Sequence, residues 1–326
     1  MKTSEYLIQT ARQHIEGDIT IEEAKQLIDS YYQSKTVRAD IEDRTEEADK
    51  VSARIAEILS ERTFTFSPVE YITIHRRLFQ GIYKFAGKIR EYNITKREWV
   101  LKGETVLYAS ADSIRETLDY DFMQEKNFNY KDLNINEAIT HIAKFISGIW
   151  QIHAFGEGNT RTTAVFTIKY LRTFGFDISN KAFANHSWYF RNALVRANYN
   201  NWGRGIYATT EYIEAFFRNL ILFEHNELKN RTMLVQESSA QGIQSANESM
   251  KTVSKCNICT LNCTLEEMAV LNFLREQPKA TQKEIAVHIG KSERTVKTIT
   301  VNLTEKGIIE RKNGKRNGFW EVKTND

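Results

Sequence analysis

The sequence predicts a mainly α-helical protein of two folded parts, and three observations carry that reading. Pro is nearly absent, at 2 of 326 residues beside 15 Gly, whereas a β-sandwich or barrel needs far more turns. Apolar residues recur at helical spacing over several long stretches, and hairpin patterns occur at two places only. The length also exceeds what one core organises, at roughly 150 residues per domain. A composition of 41% hydrophobic and 27% charged residues excludes general disorder and the fibrous classes. No run of ~18 apolar residues predicts a membrane span, residues 1–6 lack the apolar stretch of a signal peptide, and three cysteines make no disulfide framework. A cytoplasmic location is expected.

Taken in order, residues 3–34 predict two short helices broken at Gly17-Asp18. Thr20 caps the second, and Glu22 and Glu23 complement its dipole. A charged stretch over 38–50 leads into a helix predicted at 51–59. Ser67-Pro68-Val69-Glu70 is a helix start, with a capping Ser and Pro at the first position. That helix continues through Ile72, His75, Leu78, Phe79 and Tyr83. Around Gly103, Trp99-Val100-Leu101 and Thr105-Val106-Leu107-Tyr108 predict two strands forming an exposed flap. Asn134 caps the strongest stripe, made of Ile135, Ala138, Ile139, Ile142, Phe145, Ile146, Ile149 and Trp150. A nearly all-apolar helix over 162–174 stops at Gly175, and further helices are predicted at 185–199 and 208–226. The composition then turns polar, which predicts a linker. The expected division is an N-terminal helical region at 1–66, a central domain at 67–225, a linker at 226–263 and a C-terminal domain at 264–326.

Between the two most apolar helices lies His153-Ala154-Phe155-Gly156-Glu157-Gly158-Asn159-Thr160-Arg161. Within nine residues it offers an imidazole, a carboxylate, an amide and a guanidinium, and its glycines permit close backbone approach. It feeds a helix N-terminus, whose free N–H groups and dipole favour anions. With Arg161 beside them, those groups suit a polyphosphate. Glu157 suits the Mg²⁺ that accompanies one, and His153 suits a general base. A plain helix–helix corner with satisfied polar side chains is the alternative for any one of these residues taken singly.

This stretch resembles the Fic family motif, HxFx[DE]GNGRxxR, at His153, Phe155, Glu157, Gly158, Asn159 and Arg161. It departs at Thr160, where the family has Gly, and at Ala164, where it has a second Arg. The run from Ile74 to Tyr83, then Phe85-Ala86-Gly87-Lys88-Ile89-Arg90 and Asn93-Ile94, is similar to the family's upstream helix and approach to its flap. The resemblance covers about residues 68–220. It implies a Fic-type helical bundle with a β-hairpin flap, transferring AMP from ATP to a Ser, Thr or Tyr hydroxyl of another protein.

By position, the resemblance implies that His153 deprotonates the hydroxyl and Phe155 packs into the core. Gly156 and Thr160 line the nucleotide loop, and Glu157 binds Mg²⁺. Gly158 and Asn159 form the anion hole, and Arg161 holds the neighbouring phosphate. The flap at Trp99, Val100 and Leu101 pairs with an extended target segment by strand addition. A branch of the family with Lys in place of the loop Gly and no second Arg transfers the γ-phosphate. Thr160 and Ala164 therefore leave a Fic-fold kinase as the alternative, beside a non-catalytic nucleotide-sensing regulator. Many relatives block the site with a helix carrying [ST]xxxE[GN]. The segments 12–17 and 52–56 each match it incompletely, and Ala164 removes the usual partner of that Glu. No self-inhibition of the usual kind is expected.

Net charge is +3, and the excess lies in residues 264–326, with 12 basic against 9 acidic residues; the rest of the chain balances at 33 each. Thr264 with Glu267 and Thr281 with Glu284 start two helices, and a third starts at Ser292. Gly307 to Arg311, Asn313-Gly314, and Gly318 to Val322 predict a two-stranded wing. The whole resembles a winged helix-turn-helix. Arg294, Lys297 and Thr298 are placed toward a major groove, and Arg311, Lys312, Lys315 and Arg316 on the wing near phosphates. A winged helix used for protein contact is the alternative. Cys256, Cys259 and Cys263 fall short of a four-ligand zinc site and read as ordinary thiols. The expected cofactors are ATP and Mg²⁺, the expected partners a target protein and DNA, and the sequence leaves room for a homodimer.

Overall fold

The computed structural model describes residues 3–33, 40–236, 262–314 and 318–323, and for residues 40–44 only the helix they belong to. Thirteen α-helices and one two-stranded sheet lie among the described residues, and none of those helices is long and apolar enough to cross a membrane. The chain divides into two compact units, Met1–Glu91 with Ala154–Lys169, and Tyr92–His153 with Tyr170–Asp326.

The first unit begins with α1 (Glu5–Glu16) and α2 (Ile21–Gln33). Gly17 ends α1 in the left-handed region at φ 86°, and Thr20 and Glu23 exchange hydrogen bonds at the start of α2. Leu7, Ile28, Tyr32 and Ala53 form a core with α3. That helix (Asp40–Ser60) starts well before the predicted residue 51. Around residues 46–50 its charged side chains are satisfied in place. Lys50 pairs with Glu46 at 2.7 Å and Asp29 at 3.6 Å, and the fully buried Asp49 accepts from Ser4 N (2.9 Å) and Tyr32 Oη (2.7 Å). Helix α4 (Pro68–Phe79) starts as predicted, with Ser67 accepting from Glu70 N at 3.1 Å. It stops at Phe79, short of Tyr83, because Arg54 Nη1 donates to the carbonyls of Leu78 (3.0 Å) and Gln80 (2.8 Å) and ends the helix there.

The second unit contains a helix that the apolar pattern did not reveal, α5 (Ile114–Asn127). Its buried face is three apolar residues, Ile114, Leu118 and Phe122, followed by a carboxylate, Glu125. Glu125 is stable inside because Tyr130 Oη, Tyr170 Oη and His141 Nε2 all bond to it. Helix α6 (Ile135–Ile152) carries the predicted Asn134–Glu137 capping box, and every residue of its predicted stripe is buried. Helix α7 (Asn159–Thr173) begins in the first unit and ends in the second. Then come α8 (Lys181–Asn185), α9 (Ser187–Ala197) and α10 (Glu211–Ile221).

The predicted flap reverses direction as expected, but its two strands do not form. Trp99–Leu101 is a 3-10 turn, with Lys102 at φ 54° and Gly103 at φ 92°. Two bonds close the loop, Glu98 N to Glu104 O (2.9 Å) and Gly103 N to Glu98 O (3.0 Å). Val100 and Leu101 are both fully buried. A strand sends adjacent side chains to opposite faces, so a flap with one face in water could not bury both, and the turn does. Of the predicted linker, residues up to 236 are held in place: Met233 and Val235 are buried, and Val235 N donates to Val100 O at 2.9 Å. Cys256 and Cys259 lie outside the described residues, and Cys263 is buried.

The C-terminal part of this unit is α11 (Leu265–Glu276), α12 (Gln282–Ile289), α13 (Glu293–Glu305), β1 (Ile309–Lys312) and β2 (Phe319–Val322). Both predicted capping boxes form, and Ser292 caps α13. The strands pair antiparallel from Ile309↔Val322 to Lys312↔Phe319. Asn272 Nδ2 donates to Ile221 O at 2.9 Å. A Cβ on Gly175, at φ 91°, would sit 2.9 Å from Ile289 Cβ, so the approach of α12 to the end of α7 requires glycine there.

Candidate functional site

The nine-residue segment straddles the division between units. His153 belongs to the second unit, and Ala154 onward to the first.

In the first unit the loop is cross-braced by its own backbone. Asn159, the first residue of α7, is 2% exposed. Its Oδ1 accepts from Phe155 N at 3.0 Å and its Nδ2 donates to Phe155 O at 2.7 Å. The N–H and the C=O of Phe155, in two successive peptide units, are thereby fixed by one amide, which Asp cannot reproduce because it lacks the donor. Phe155 is fully buried against Tyr71 and His75, the His75 ring lying 3.7 Å away and nearly parallel.

His75 is a site residue that sequence reasoning placed only on an apolar stripe. Its Nδ1 accepts from Gly87 N at 2.8 Å, so its Nε2 carries the proton and donates to Glu157 O at 3.0 Å. Burial pushes its pKa down to about 4, and the nearby Arg161 charge adds to the shift, outweighing the bond to Glu157 that favours the charged form. The neutral imidazole thus pins the backbone under Glu157, whose side chain is exposed. A single imidazole at a core position of an otherwise apolar helical face was the available signal.

Gly158 sits at φ 84°, and a Cβ there would lie 2.4 Å from the Phe79 ring. Only glycine fits the position, which leaves the start of α7 bare of side chain at that point. Gly156 and Thr160 are half-buried, and Thr162 Oγ1 donates to Gly158 O at 3.1 Å. The Arg161 guanidinium lies over the Phe79 ring, 4.7 Å from its centre. Its Nη2 donates to Glu47 Oε1 at 2.5 Å and to Tyr83 Oη at 3.2 Å, while Tyr83 Oη donates to Glu47 at 2.6 Å. Burial first, and then the Glu47 carboxylate, push the Tyr83 phenol up to about 12. Glu47 lies in neither segment resembling the family's blocking motif. It engages the first Arg of the motif, and Ala164 stands where the second would be.

In the second unit His153 caps α6 with φ 51° and ψ 55°, its N donating to Trp150 O at 3.0 Å. Holding a residue with a Cβ in the left-handed region costs about 1–2 kcal/mol, a strain that packing must hold. The side chain is 1% exposed, with the Tyr108 ring 4.3 Å and the Trp150 ring 5.4 Å from it. Tyr108 is itself tied to the flap base. Its Oη donates to Glu98 Oε1 at 3.2 Å, and Arg191 Nη2 clasps both oxygens of Glu98 at 2.7 and 2.9 Å. Among the expected flap contacts, Trp99 is 45% exposed, while Val100 and Leu101 are covered.

On α13, Arg294, Lys297 and Thr298 are exposed. The wing differs. Lys312 pairs with Glu310 (2.8 Å) and Glu321 (3.5 Å), and the Arg311 guanidinium lies over the Trp320 ring at 4.9 Å. Lys315 and Arg316 lie outside the described residues. No cluster of three or more His, Cys, Asp or Glu side chains placed to hold a metal ion occurs among the described residues.

Residues 65–171 match the Fic/DOC family, and residues 267–310 match the winged helix-turn-helix DNA-binding family. The chain is also similar to solved Bartonella structures. The BepC protein of Bartonella tribocorum, a VirB-translocated effector crystallised with bound AMPPNP, is 17% identical over 56% of this chain and 88% of its own, with a TM-score of 0.45. The N-terminal Fic domain of a putative cell filamentation protein from Bartonella quintana is 18% identical over 57% and 84%, with a TM-score of 0.41. The N-terminal Fic domain of Bep8 from Bartonella sp. 1-1C is 16% identical over 57% and 87%, with a TM-score of 0.43.

Proposed function

The chain carries a Fic/DOC domain and a C-terminal winged helix-turn-helix, and from that premise we propose that it transfers AMP from ATP to a hydroxyl of a target protein. The observation that carries the reading is the braced loop at the head of α7. Asn159 locks Phe155 from both sides, and Gly158 holds a backbone position that no Cβ can enter. Such a fixed array of N–H groups at a helix start is suited to phosphate, and needs no rearrangement when charge develops.

The residues present fit MgATP: an exposed carboxylate at Glu157, a bare backbone at Gly158, and the start of a 15-residue helix. Bound MgATP supplies the phosphoanhydride whose cleavage drives the transfer. Glu157 would hold the Mg²⁺, and Gly158 and Asn159 the α-phosphate. Arg161 would hold the neighbouring phosphate once it exchanges Glu47 for it. His153, immediately before the loop in the chain, would take the proton of the target hydroxyl. For that, the Tyr108 ring has to swing aside. Of Trp99, Val100 and Leu101, Trp99 is the exposed one and would meet the target. The winged domain is proposed to bind DNA through α13.

The test incubates the full chain with Mg²⁺ and ATP labelled separately at the α- and γ-phosphates, following label into protein. Retained α-label is expected. Retained γ-label instead would assign a kinase and overturn AMP transfer, and undiminished labelling by His153→Ala would overturn the assignment of the base.

A further inference from the structure

Helix α13 turns two different faces to its surroundings. Val296, Ile299, Thr300 and Leu303 are buried. The opposite stripe runs Arg294, Lys297, Thr298 and Val301, at spacings of three, four and seven, and all four are exposed. Arg294 and Lys297 have no ion-pair partner among the described residues. Val301 is 46% exposed, an aliphatic group left in water midway along the helix. The Thr298 hydroxyl is turned back onto the helix, donating to Arg294 O at 3.2 Å. Its only proton is used internally, so it has no donor left for a partner and presents its methyl beside an accepting oxygen. The stripe therefore offers two cationic donors followed by two methyl-bearing groups.

The major groove of B-DNA offers the matching set. Guanine presents two acceptors, O6 and N7, to a cationic donor, and thymine presents a C5-methyl to an apolar contact. We infer that α13 reads a guanine step beside thymine, with Val301 and the Thr298 methyl packed on thymine methyl groups. This rests on the DNA-binding reading above. It also assigns the preferred polymer. Uracil has no such methyl, and the major groove of A-form RNA is too narrow to admit these side chains.

The experiment measures binding of the full chain by fluorescence anisotropy to two labelled duplexes of equal length. One is alternating (GT)n·(AC)n, and the other is the same duplex with every thymine replaced by deoxyuridine. Loss of one buried methyl contact is worth roughly fourfold, so with two such contacts the thymine duplex is expected to bind about fifteenfold tighter. Val301→Ser should remove most of that preference. Thr298→Ser, which keeps the hydroxyl and its bond while removing the methyl, should remove the remainder. Both positions are exposed, so neither change disturbs the core. Equal binding of the two duplexes overturns this inference and leaves DNA binding standing. A preference untouched by both variants overturns the assignment to these two residues. No binding to either duplex at low salt overturns the DNA-binding reading itself.

Discussion

Two arginines near helix starts have opposite surroundings. Arg161, third in α7, is held by Glu47 and Tyr83 and stacked on Phe79. Arg294, second in α13, is exposed and has no ion-pair partner among the described residues. The same side chain in nearly the same local position is neutralised in one place and available in the other. Counting charge along the sequence does not separate them, because what decides is whether a distant segment delivers a carboxylate. Within the winged domain the contrast repeats on a smaller scale: Lys297 is available, while Lys312 is bracketed by Glu310 and Glu321.

The comparison has functional content only if the head of α7 is a reaction centre. The largest expected effect therefore comes from His153→Ala, which should lower label transfer by about 10²–10⁴-fold, the usual contribution of a general base. Nucleotide binding measured in parallel should survive, which separates lost chemistry from lost folding.

Next in size is a pH effect on the loop that presents Arg161. His75 has its pKa near 4 when folded, below the ordinary value of about 6.5 when unfolded. Above pH 6.5 both states hold it neutral and its stabilisation is complete. As pH falls from 6.5 toward 4, the unfolded state takes up a proton that the folded state refuses, and about 3 kcal/mol is lost. Urea unfolding at pH 7.5 and 4.5 reads this loss. His75→Gln should flatten that part of the slope, and an unchanged slope would refute the tautomer and burial argument.

Releasing Arg161 sharpens the contrast directly. Glu47→Ala should tighten MgATP binding roughly tenfold, since a charge-assisted hydrogen bond in a partly exposed pair is broken. The gain should vanish when Arg161→Ala is added. The smallest effect concerns the basic residues of the winged domain. Arg294→Ala should lower the slope of log affinity against log salt by about 1, whereas Lys312→Ala should change it by less than half as much, because its charge is already offset. Equal slopes for the two would break the comparison.

Much of this was legible in the sequence. Asn134, Thr264, Thr281 and Ser292 mark helix starts by local chemistry alone, and the α6 stripe is buried as its spacing required. Helix α5 was not legible, because Glu125 takes a core position that only Tyr130, Tyr170 and His141 make tolerable. The early start of α3 was hidden likewise, since Asp49 reads as surface until Ser4 and Tyr32 are seen to bond it. The flap was misjudged as two strands because its apolar runs look the same whether they alternate across a sheet or bury consecutive residues in a turn.

The sequence by itself determined the two domain types and the motif, which are carried by local spacing and capping, while the Phe79 ring decided that position 158 must be glycine. The tertiary structure alone decided that His75 is a neutral brace, that Arg161 faces Glu47, and that Tyr108 lies over His153. Each of those joins groups brought together only by packing. Propensity, capping and periodicity act over one or two helical turns, whereas the charge and proton state of a site depend on whatever the fold places within a few ångströms of it.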